Sequence, residues 1–214
     1  MPPEQRLLLM SVWNAVEQAG YAAKTLAAET TGVFVAAGPS EYPQIIKARG
    51  GAGGLINIPT LAMMPNRISY HFNLRGPSEY HDTTCSSALV ALQRAVDSLR
   101  NGECHYAIVA GINLIMSPEG FNNLETVGML SQAGKVLPFQ QNATGTIRGE
   151  GVGAVLLKPL QAAIADRDNI QAIIKGVGVA HGGKGVSLTA PNIQGMKAAI
   201  QKSLENGRVS AASV

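Results

Sequence analysis

Charge is scarce in this 214-residue sequence: charged residues make up 14% of it, and the formal net charge is +3. The basic residues are scattered and form no Lys/Arg run, which argues against a nucleic-acid-binding surface. No apolar run reaches the roughly 18–20 residues that a membrane-spanning helix needs. The first residues have the pattern of an amphipathic helix with embedded charges, and not that of a signal peptide.

Cysteine is also scarce, since Cys85 and Cys104 are the only two in the sequence. Two cysteines argue against a disulfide framework, and neither has another Cys or a His at metal-ligand spacing. We therefore expect a reduced, cytoplasmic protein without a metal site.

Hydrophobic residues, by contrast, make up 46% of the chain, which suits a well-buried α/β core. Most of the 24 glycines fall in short clusters between periodic runs, a pattern typical of many tight loops. The length is compatible with one large domain or two small ones.

Hydrophobic periodicity predicts the order of the elements. Helices are expected at 4–19, after Pro65 within 60–74, at 86–100 and at 192–207, with shorter helical stretches near 118–126 and 161–167. Strands are expected at 31–38, 76–84, 105–112, 151–160 and 170–183. The segment 41–59 is expected to be loop, with room for one helical turn. Helix ends are predicted at Gly102 and Gly207, and an N-cap at Asn192. Strands that alternate with helices predict a largely parallel sheet covered by helices.

The predicted turn between the strand at 76–84 and the next helix contains Cys85. A helix N-terminus has free backbone N–H groups and favours the thiolate form of a cysteine placed there. The same N–H groups could hold the oxyanion that forms when a thioester is attacked. The local pattern thus suits an acyl-accepting nucleophile, while a buried structural cysteine remains the alternative. Cys104 has no helix start behind it and is interpreted as structural.

Hydroxyl residues crowd the same turn, where they leave room for a substrate and can bond free backbone groups. They are Thr83, Thr84, Ser86 and Ser87.

The stretch "GPSEYHDTTCSSALVAL" resembles the active-site segment of β-ketoacyl synthases, whose usual form is Asp-Thr-Ala-Cys-Ser-Ser followed by a helix. Other segments resemble those of modular polyketide synthases: "PPEQRLLLMSVWNAVEQAGY", "GVFVAAGPSEY", "NRISYHFNLRGPS", "AGINLIMSPEGFNNLETVGMLS" and "IRGEGVGAVLLKPL". The stretch "HGGKGVSLTAPN" is similar to ketosynthases whose acyltransferase acts in trans.

This resemblance implies a thiolase-like αβαβα layered fold, present here in part. Residues 1–160 would form the N-terminal half without its opening strand, and 161–214 the start of the C-terminal half. Cys85 would accept an acyl chain from the phosphopantetheine thiol of an acyl carrier protein, so the chain itself binds no cofactor. The implied partners are that carrier protein, other polyketide synthase domains, and a second copy paired through the strand at 78–82.

The resemblance is incomplete at the two catalytic histidines of the family. They belong to a His-Gly-Thr-Gly-Thr segment and a later Asn-x-Gly-His segment, and none of the four histidines here lies in either motif. We therefore interpret the chain as an internal fragment of a ketosynthase that forms no carbon–carbon bond alone. His81 and His181 are weak alternatives as catalytic groups.

A loop motif also departs from the family form Phe-Asp-x-x-Ala-Asp-Gly. Gln140 and Thr144 occupy its two acidic positions, which puts the order of this loop in doubt. Arg148 and Glu150 could still form a salt bridge there, or could be a solvated pair that contributes little.

Leu124, Met129 and Ser131 match segments that shape the acyl pocket in the family, with ordinary core packing as the alternative. Met63 and Met64 are interpreted as core residues.

Three functions remain open at this point. The first is a decarboxylative condensing enzyme of polyketide biosynthesis, and therefore a transferase of acyl groups. The second is a non-elongating, carrier-binding ketosynthase-like domain. The third is a thiolase-type enzyme acting on acyl-CoA, against which the Asp-Thr-Thr-Cys-Ser-Ser turn argues.

Overall fold

A computed structural model describes residues 1–50, 60–187 and 190–214 of the chain. Its helices are α1 (Pro3–Gln18), α2 (Ala23–Ala28), α3 (Tyr42–Ala48), α4 (Met63–Phe72), α5 (Ser87–Arg100), α6 (Glu119–Thr126), α7 (Leu160–Ala165) and α8 (Ile193–Gly207). Its strands are β1 (Thr31–Ala37), β2 (Ser78–His81), β3 (Tyr106–Asn113) and β4 (Gly151–Leu157).

The four strands form one sheet in the order β2-β1-β3-β4. β1 runs parallel to both β2 and β3, while β4 is antiparallel to β3, with Val109 opposite Val155. All seven residues of β1 are buried, as expected for a central strand covered on both faces. The predicted, largely parallel sheet is confirmed, with β4 as its antiparallel edge.

Successive residues of β1 point to opposite faces of the sheet, and this alternation separates two cores. Val33 and Val35 pack with α1 and α4, where Leu8 and Ile68 are fully buried. On the other face, Phe34 packs against the alanines of α5 and against Cys104. The small residues Ala91 and Ala95 let α5 approach the sheet closely.

Helix α4 begins earlier than the sequence predicts. It starts at Met63, and Pro65 lies within its first turn. A proline is tolerated there because the first N–H groups of a helix have no intrahelical partner. Met63 and Met64 belong to this first turn, and Met64 is buried, in agreement with its interpretation as a core residue.

The strand predicted at 170–183 is wrong, because no strand is assigned in this segment. A β-strand forms only where its backbone is hydrogen-bonded to a neighbouring strand. These residues make no backbone–backbone hydrogen bond with the described chain. Side chains of α8 bind the carbonyls instead: Ser203 Oγ donates to Gly176 O at 3.1 Å, and Asn206 Nδ2 to Val177 O at 2.8 Å.

The start of α8 agrees with the prediction, while its end does not. The Asn192 side chain accepts hydrogen bonds from the N–H groups of Gln194 and Gly195, at 2.8 and 3.3 Å. Gly207, however, is still helical, and Arg208 takes the left-handed conformation with φ of 50°. Gly207 is needed for space, since a Cβ there would press on Lys175.

The other predicted helices and strands are present within a few residues of their expected limits, and Gly102 follows α5 with φ of 71°. The loop expected at 41–59 contains α3, and its residues 51–59 lie outside the described part. Across the described residues, no helix combines the length and the apolar character needed to cross a bilayer.

Candidate active site

Cys85 lies between the carboxyl end of β2 and the start of α5. It is the middle residue of a 3₁₀ turn, Thr84–Ser86, that leads directly into α5 at Ser87. Its side chain is exposed, so it is not a core residue. The predicted placement at the start of a helix is confirmed. Two cavities of about 560 and 1000 Å³ lie elsewhere in the described chain and are lined by residues other than Cys85.

The residue before Cys85 has an unusual backbone conformation. Thr84 has φ of 57°, and it is the one β-branched residue among the five non-glycine residues with positive φ in the described chain. Such a conformation costs on the order of 1–3 kcal/mol and persists where its surroundings hold it. The chain thus changes direction sharply just before the cysteine.

Side-chain hydrogen bonds of the turn hold this conformation. The Thr84 N–H donates to Asp82 Oδ1 at 3.0 Å, and Ser87 Oγ donates to the Thr84 carbonyl at 2.6 Å. Ser87 Oγ also accepts from the Thr83 N–H at 2.8 Å, and Ser86 Oγ donates to the Thr83 carbonyl at 2.9 Å. The hydroxyl residues therefore bond free backbone groups, as predicted.

His81 ends β2, four residues before Cys85. Its Nε2 lies 3.4 Å from Glu79 Oε2, and its ring centroid lies 6.3 Å from that of Phe34. The Nε2 atom is buried and has no hydrogen-bond partner among the described residues. The imidazole packs on the α5 face of the sheet, beside Glu79.

Cys104 lies beyond the opposite end of α5 and is 1% exposed. Its Sγ is 3.3 Å from Ser98 Oγ, and it packs in the core around Phe34. The interpretation of Cys104 as structural agrees with this burial.

An ion-pair network stands beside Cys104. Arg94 reaches Glu103 at 2.7 Å and Glu79 at 3.0 Å. The hydrogen bond from Arg94 lowers the pKa of the exposed Glu103 carboxyl. The network links α5 to β2 and to the segment that precedes β3.

Leu124, Met129 and Ser131 lie together around the end of α6. The Met129 N–H donates to the Leu124 carbonyl at 2.9 Å, and the Ser131 N–H donates to the Thr146 carbonyl at 2.8 Å. Met129 is 51% exposed, so ordinary core packing does not describe it. The structure brings these three residues to one region, and in the part of the chain that it describes no hydrogen bond joins them to Cys85.

Hydrogen bonds hold the loop in which Gln140 and Thr144 replace the two acidic residues of the family motif. Thr144 Oγ1 lies 3.1 Å from Ser131 Oγ, and the Gln140 N–H donates to the Leu137 carbonyl at 3.3 Å. A neutral hydrogen bond thus links the Thr144 position to the region of Ser131.

The salt bridge considered between Arg148 and Glu150 is not formed. Arg148 stacks on Phe121, with 5.2 Å from its guanidinium carbon to the ring centroid, and packs over Gly120. Glu150 Oε1 instead accepts from the Ile115 N–H at 2.7 Å. Arg148 therefore contacts α6, whereas Glu150 binds the segment that follows β3.

Glu41 is a further loop residue that the sequence analysis did not single out. Its Oε2 accepts from the N–H groups of Met116 and Ser117, at 3.0 and 2.8 Å. With Glu150, it holds three consecutive amides after β3. Because β1 and β3 are parallel, the loops that follow them meet at the same end of the sheet. This topology is the signal that could have suggested the contact of Glu41 with the segment after β3.

A partly buried polar cluster was also missed. Lys158 Nζ donates to Tyr21 Oη at 2.8 Å and to Asp168 Oδ2 at 2.9 Å, and it pairs with Asp166. Burial, and a hydrogen bond to Asp168, raise the pKa of Tyr21 to about 12. Burial alone would lower the pKa of Lys158, but bonds to Asp166, Tyr21 and Asp168 outweigh it and raise that pKa.

Comparison with known proteins identifies the family to which this arrangement belongs. The sequence profile described as the N-terminal domain of β-ketoacyl synthase matches residues 1–163. The chain belongs to the β-ketoacyl synthase family. The matched residues include Cys85 and the turn around it.

Polyketide synthases are prominent among its relatives. The chain is 46% identical over 209 residues to polyketide synthase PksR of Bacillus subtilis, and 49% identical over 214 residues to polyketide synthase ThaG of Burkholderia thailandensis. These alignments cover 98% and 100% of this chain but 8% and 4% of those proteins. The chain is therefore comparable to a small part of each relative.

Solved ketosynthase structures share the fold. The oxazolomycin ketosynthase domain OzmH KS7 of Streptomyces albus JA3453 is 35% identical, with a TM-score of 0.93 over 99% of this chain and 38% of its own. The module 6 ketosynthase of the Bacillus subtilis bacillaene synthase is 35% identical, with a TM-score of 0.89 over 98% of this chain and 36% of its own. The predicted α/β, thiolase-like fold class is thus confirmed.

Proposed function

We propose that this chain carries the acyl-accepting cysteine of a polyketide ketosynthase. The observation that carries the proposal is the position of Cys85, exposed at the carboxyl end of β2 and at the start of α5. In parallel sheets, the carboxyl ends of strands are where ligands bind. The buried Cys104 offers no comparable access.

The first step of the proposed reaction is acyl transfer. The Cys85 thiolate attacks the carbonyl of an acyl thioester carried on phosphopantetheine, and a new C–S bond forms. The bond to the pantetheine sulfur breaks, and that thiol leaves with a proton. Backbone N–H groups at the start of α5 would stabilise the oxyanion of the tetrahedral intermediate.

The second step is condensation. A malonyl-type extender on a carrier protein loses carbon dioxide, its enolate carbon attacks the acyl-cysteine carbonyl, and the Cys85 thiolate is released. Covalent capture divides one difficult reaction into two easier ones. The donors that stabilise the enolate in the family are two histidines whose segments do not occur in this sequence.

The proposed partners are an acyl carrier protein, other polyketide synthase domains and a second copy of the chain. Homodimer formation through 78–82 is supported by the position of β2, which is an edge strand of the described sheet. An edge strand can pair with a second strand through its free backbone groups. Similarity of 181–192 to trans-acyltransferase ketosynthases supports that subtype.

Leu124, Met129 and Ser131 are proposed as acyl-pocket residues. Their support is that they lie together at the end of α6, with Met129 largely exposed rather than packed in the core. Replacing Met129 by Ala should change the preferred acyl length while leaving acetyl transfer to Cys85 measurable.

The test uses the protein as encoded by its gene, an acyl carrier protein charged with an acyl group, and intact-protein mass spectrometry. Acylation that disappears in Cys85→Ala and persists in Cys104→Ala supports the proposal. Adding malonyl carrier protein should then give a β-ketoacyl product. Acylation without that product supports the non-elongating alternative, and no acylation of Cys85 contradicts the proposal.

The 214-residue chain by itself is expected to form no β-ketoacyl product above the Cys85→Ala control. Loss of one positioned oxyanion donor commonly costs ~10²–10³ in rate. Apolar side chains on several elements are also uncovered, among them Leu89 of α5 at 68% exposure and Ile200 of α8 at 61%. We expect such a chain to aggregate readily.

A further inference from the structure

The backbone of Thr84 needs an explanation that the proposed chemistry does not supply. A β-branched residue rarely takes a left-handed conformation, because its Cβ substituents crowd the backbone. The usual residue of the family motif at this position is Ala, so the side chain of Thr84 makes the conformation harder to hold. Something in the turn has to stabilise it.

Both backbone polar groups of Thr84 are bound by side chains, and these two bonds come from opposite sides of the turn. Asp82, before it, accepts from the Thr84 N–H at 3.0 Å. Ser87, after it, donates to the Thr84 carbonyl at 2.6 Å and accepts from the Thr83 N–H at 2.8 Å. Ser87 is 7% exposed and is anchored in α5, whereas Asp82 is exposed.

The conformation of Thr84 sets the direction in which Cys85 leaves the turn. A change of φ at Thr84 to the right-handed region would rotate every atom that follows, and the first of these belong to Cys85. The Thr84 carbonyl also accepts from the Ser87 backbone N–H, so the two side-chain bonds act together with a backbone bond in fixing the thiol position. A misplacement of about 1 Å at a reacting group can reduce a rate on the order of a hundredfold.

We infer that Asp82 and Ser87 are positioning residues that hold Thr84 in its left-handed conformation and thereby fix the Cys85 thiol for acyl transfer. The inference rests on the proposed role of Cys85. It assigns Asp82 a hydrogen-bonding task that an uncharged acceptor could also perform.

The first experiment compares Asp82→Ala with Asp82→Asn in the protein as encoded. An Asn side chain keeps an oxygen acceptor for the Thr84 N–H, whereas Ala has none. We expect Asp82→Ala to slow acylation of Cys85 about tenfold to a hundredfold, and Asp82→Asn to slow it less than about threefold. Equal losses in both variants would assign the effect to the charge of Asp82 and overturn the inference, as would an unchanged rate in Asp82→Ala.

The second experiment asks whether a residue that favours the left-handed region removes the need for Asp82. Asn adopts this region more readily than other non-glycine residues. Adding Thr84→Asn to Asp82→Ala should therefore restore at least about half of the lost rate on a logarithmic scale. A merely structural role of Asp82 predicts no such recovery, and its absence would contradict the inference.

Ser87 supplies a matched pair of variants. Ser87→Thr keeps the hydroxyl, and Ser87→Ala removes it. We expect the larger loss of rate with Ala, and equal losses would contradict the role of the hydroxyl. If Ser87→Ala does not fold, which circular dichroism would show, the Asp82 and Thr84 variants carry the test alone, because both residues are exposed.

Alkylation with iodoacetamide separates this inference from the proposed function. It measures the reactivity of the Cys85 thiol without any carrier protein or acyl group. If the unaltered protein accepts no acyl group, the proposed function fails. The positioning of the Cys85 thiol by Asp82 would still be supported if alkylation of Cys85 differs between Asp82→Ala and Asp82→Asn, and it would be contradicted if the two rates are equal.

Discussion

The two ends of helix α5 carry the two cysteines of the chain, in opposite environments. At the N-terminal end, Cys85 is exposed within a turn whose hydroxyl and carboxylate side chains bind its backbone. Beyond the C-terminal end, Cys104 is 1% exposed and its sulfur contacts Ser98 Oγ at 3.3 Å. One helix thus separates an accessible thiol from a packed one.

The difference shows how position decides the use of the same side chain. A thiol at a helix start faces free N–H groups and can be reached by a substrate, so its chemistry can be used. A thiol enclosed by Phe34 and Ser98 acts as a small apolar group that fills space.

Removing each sulfur in turn should separate the two cysteines most clearly. Cys85→Ala should lower acyl transfer by a factor on the order of 10⁶, or below detection, because the nucleophile is lost. Cys104→Ala should leave the transfer rate within about twofold, since the buried sulfur does not touch the substrate. Single-turnover transfer from an acyl carrier protein measures both.

A matched stability measurement controls for unfolding in these variants. Cys85→Ala should keep the melting temperature of the parent, so that its loss of activity reflects chemistry. A Cys104→Ala protein that folds but transfers no acyl group would contradict the assignment of Cys85 as the acyl acceptor.

Enlarging each cysteine side chain tests how tightly the two sites are packed. Cys104→Leu should lower the free energy of unfolding by ~1–3 kcal/mol, because the added carbons have no space. A Cβ added to Gly32 would already lie 3.3 Å from the Cys104 sulfur, which shows how tight this site is. Cys85→Leu should change the same quantity by less than about 0.5 kcal/mol.

Denaturant unfolding of the two Leu variants, with the unaltered protein beside them, gives the free energies. Equal destabilisation by Cys104→Leu and Cys85→Leu would mean that the two ends of α5 are equally packed, against the structure.

The smallest effect concerns the ion pairs beside Cys104. Arg94 lowers the pKa of Glu103, so this carboxylate stabilises the fold above its unfolded pKa, and the contribution is lost as the pH falls through the folded value. Arg94→Met should therefore lower the melting temperature slightly at pH 7. The difference should disappear on acidification below the ordinary Glu range, and it should also shrink at high salt.

A thermal melt of Arg94→Met at several pH values checks this sign. The Cys85 end contains no such Arg pair, so the rate of Cys85 alkylation should stay the same in this variant. A melting difference that grows as the pH falls would contradict the stated contribution of Glu103.

The position of Cys85 could be predicted from the sequence, because the apolar stripe of α5 and the polar turn before it are local patterns. The conformation of Thr84 could not, since a β-branched residue argues against positive φ. It depends on bonds from Asp82 and Ser87 that a propensity argument does not include.

Long-range relations were predicted least well. Tyr21 and Lys158 are 137 positions apart, and no local pattern joins them. The strand expected at 170–183 failed because an apolar, β-branched run forms a strand only beside a hydrogen-bonding neighbour. The salt bridge considered between Arg148 and Glu150 does not form. Arg148 stacks on Phe121 instead, and Glu150 accepts from the Ile115 N–H.

The most direct test of the central claim is to map the acyl group itself. The protein as encoded is incubated with an acyl thioester under native conditions, digested, and analysed by peptide mass spectrometry, with iodoacetamide as a second reagent. We expect the peptide containing Cys85 to carry the acyl group, and iodoacetamide to label Cys85 at least about tenfold faster than Cys104. Acyl groups or label distributed equally between Cys85 and Cys104 would contradict it.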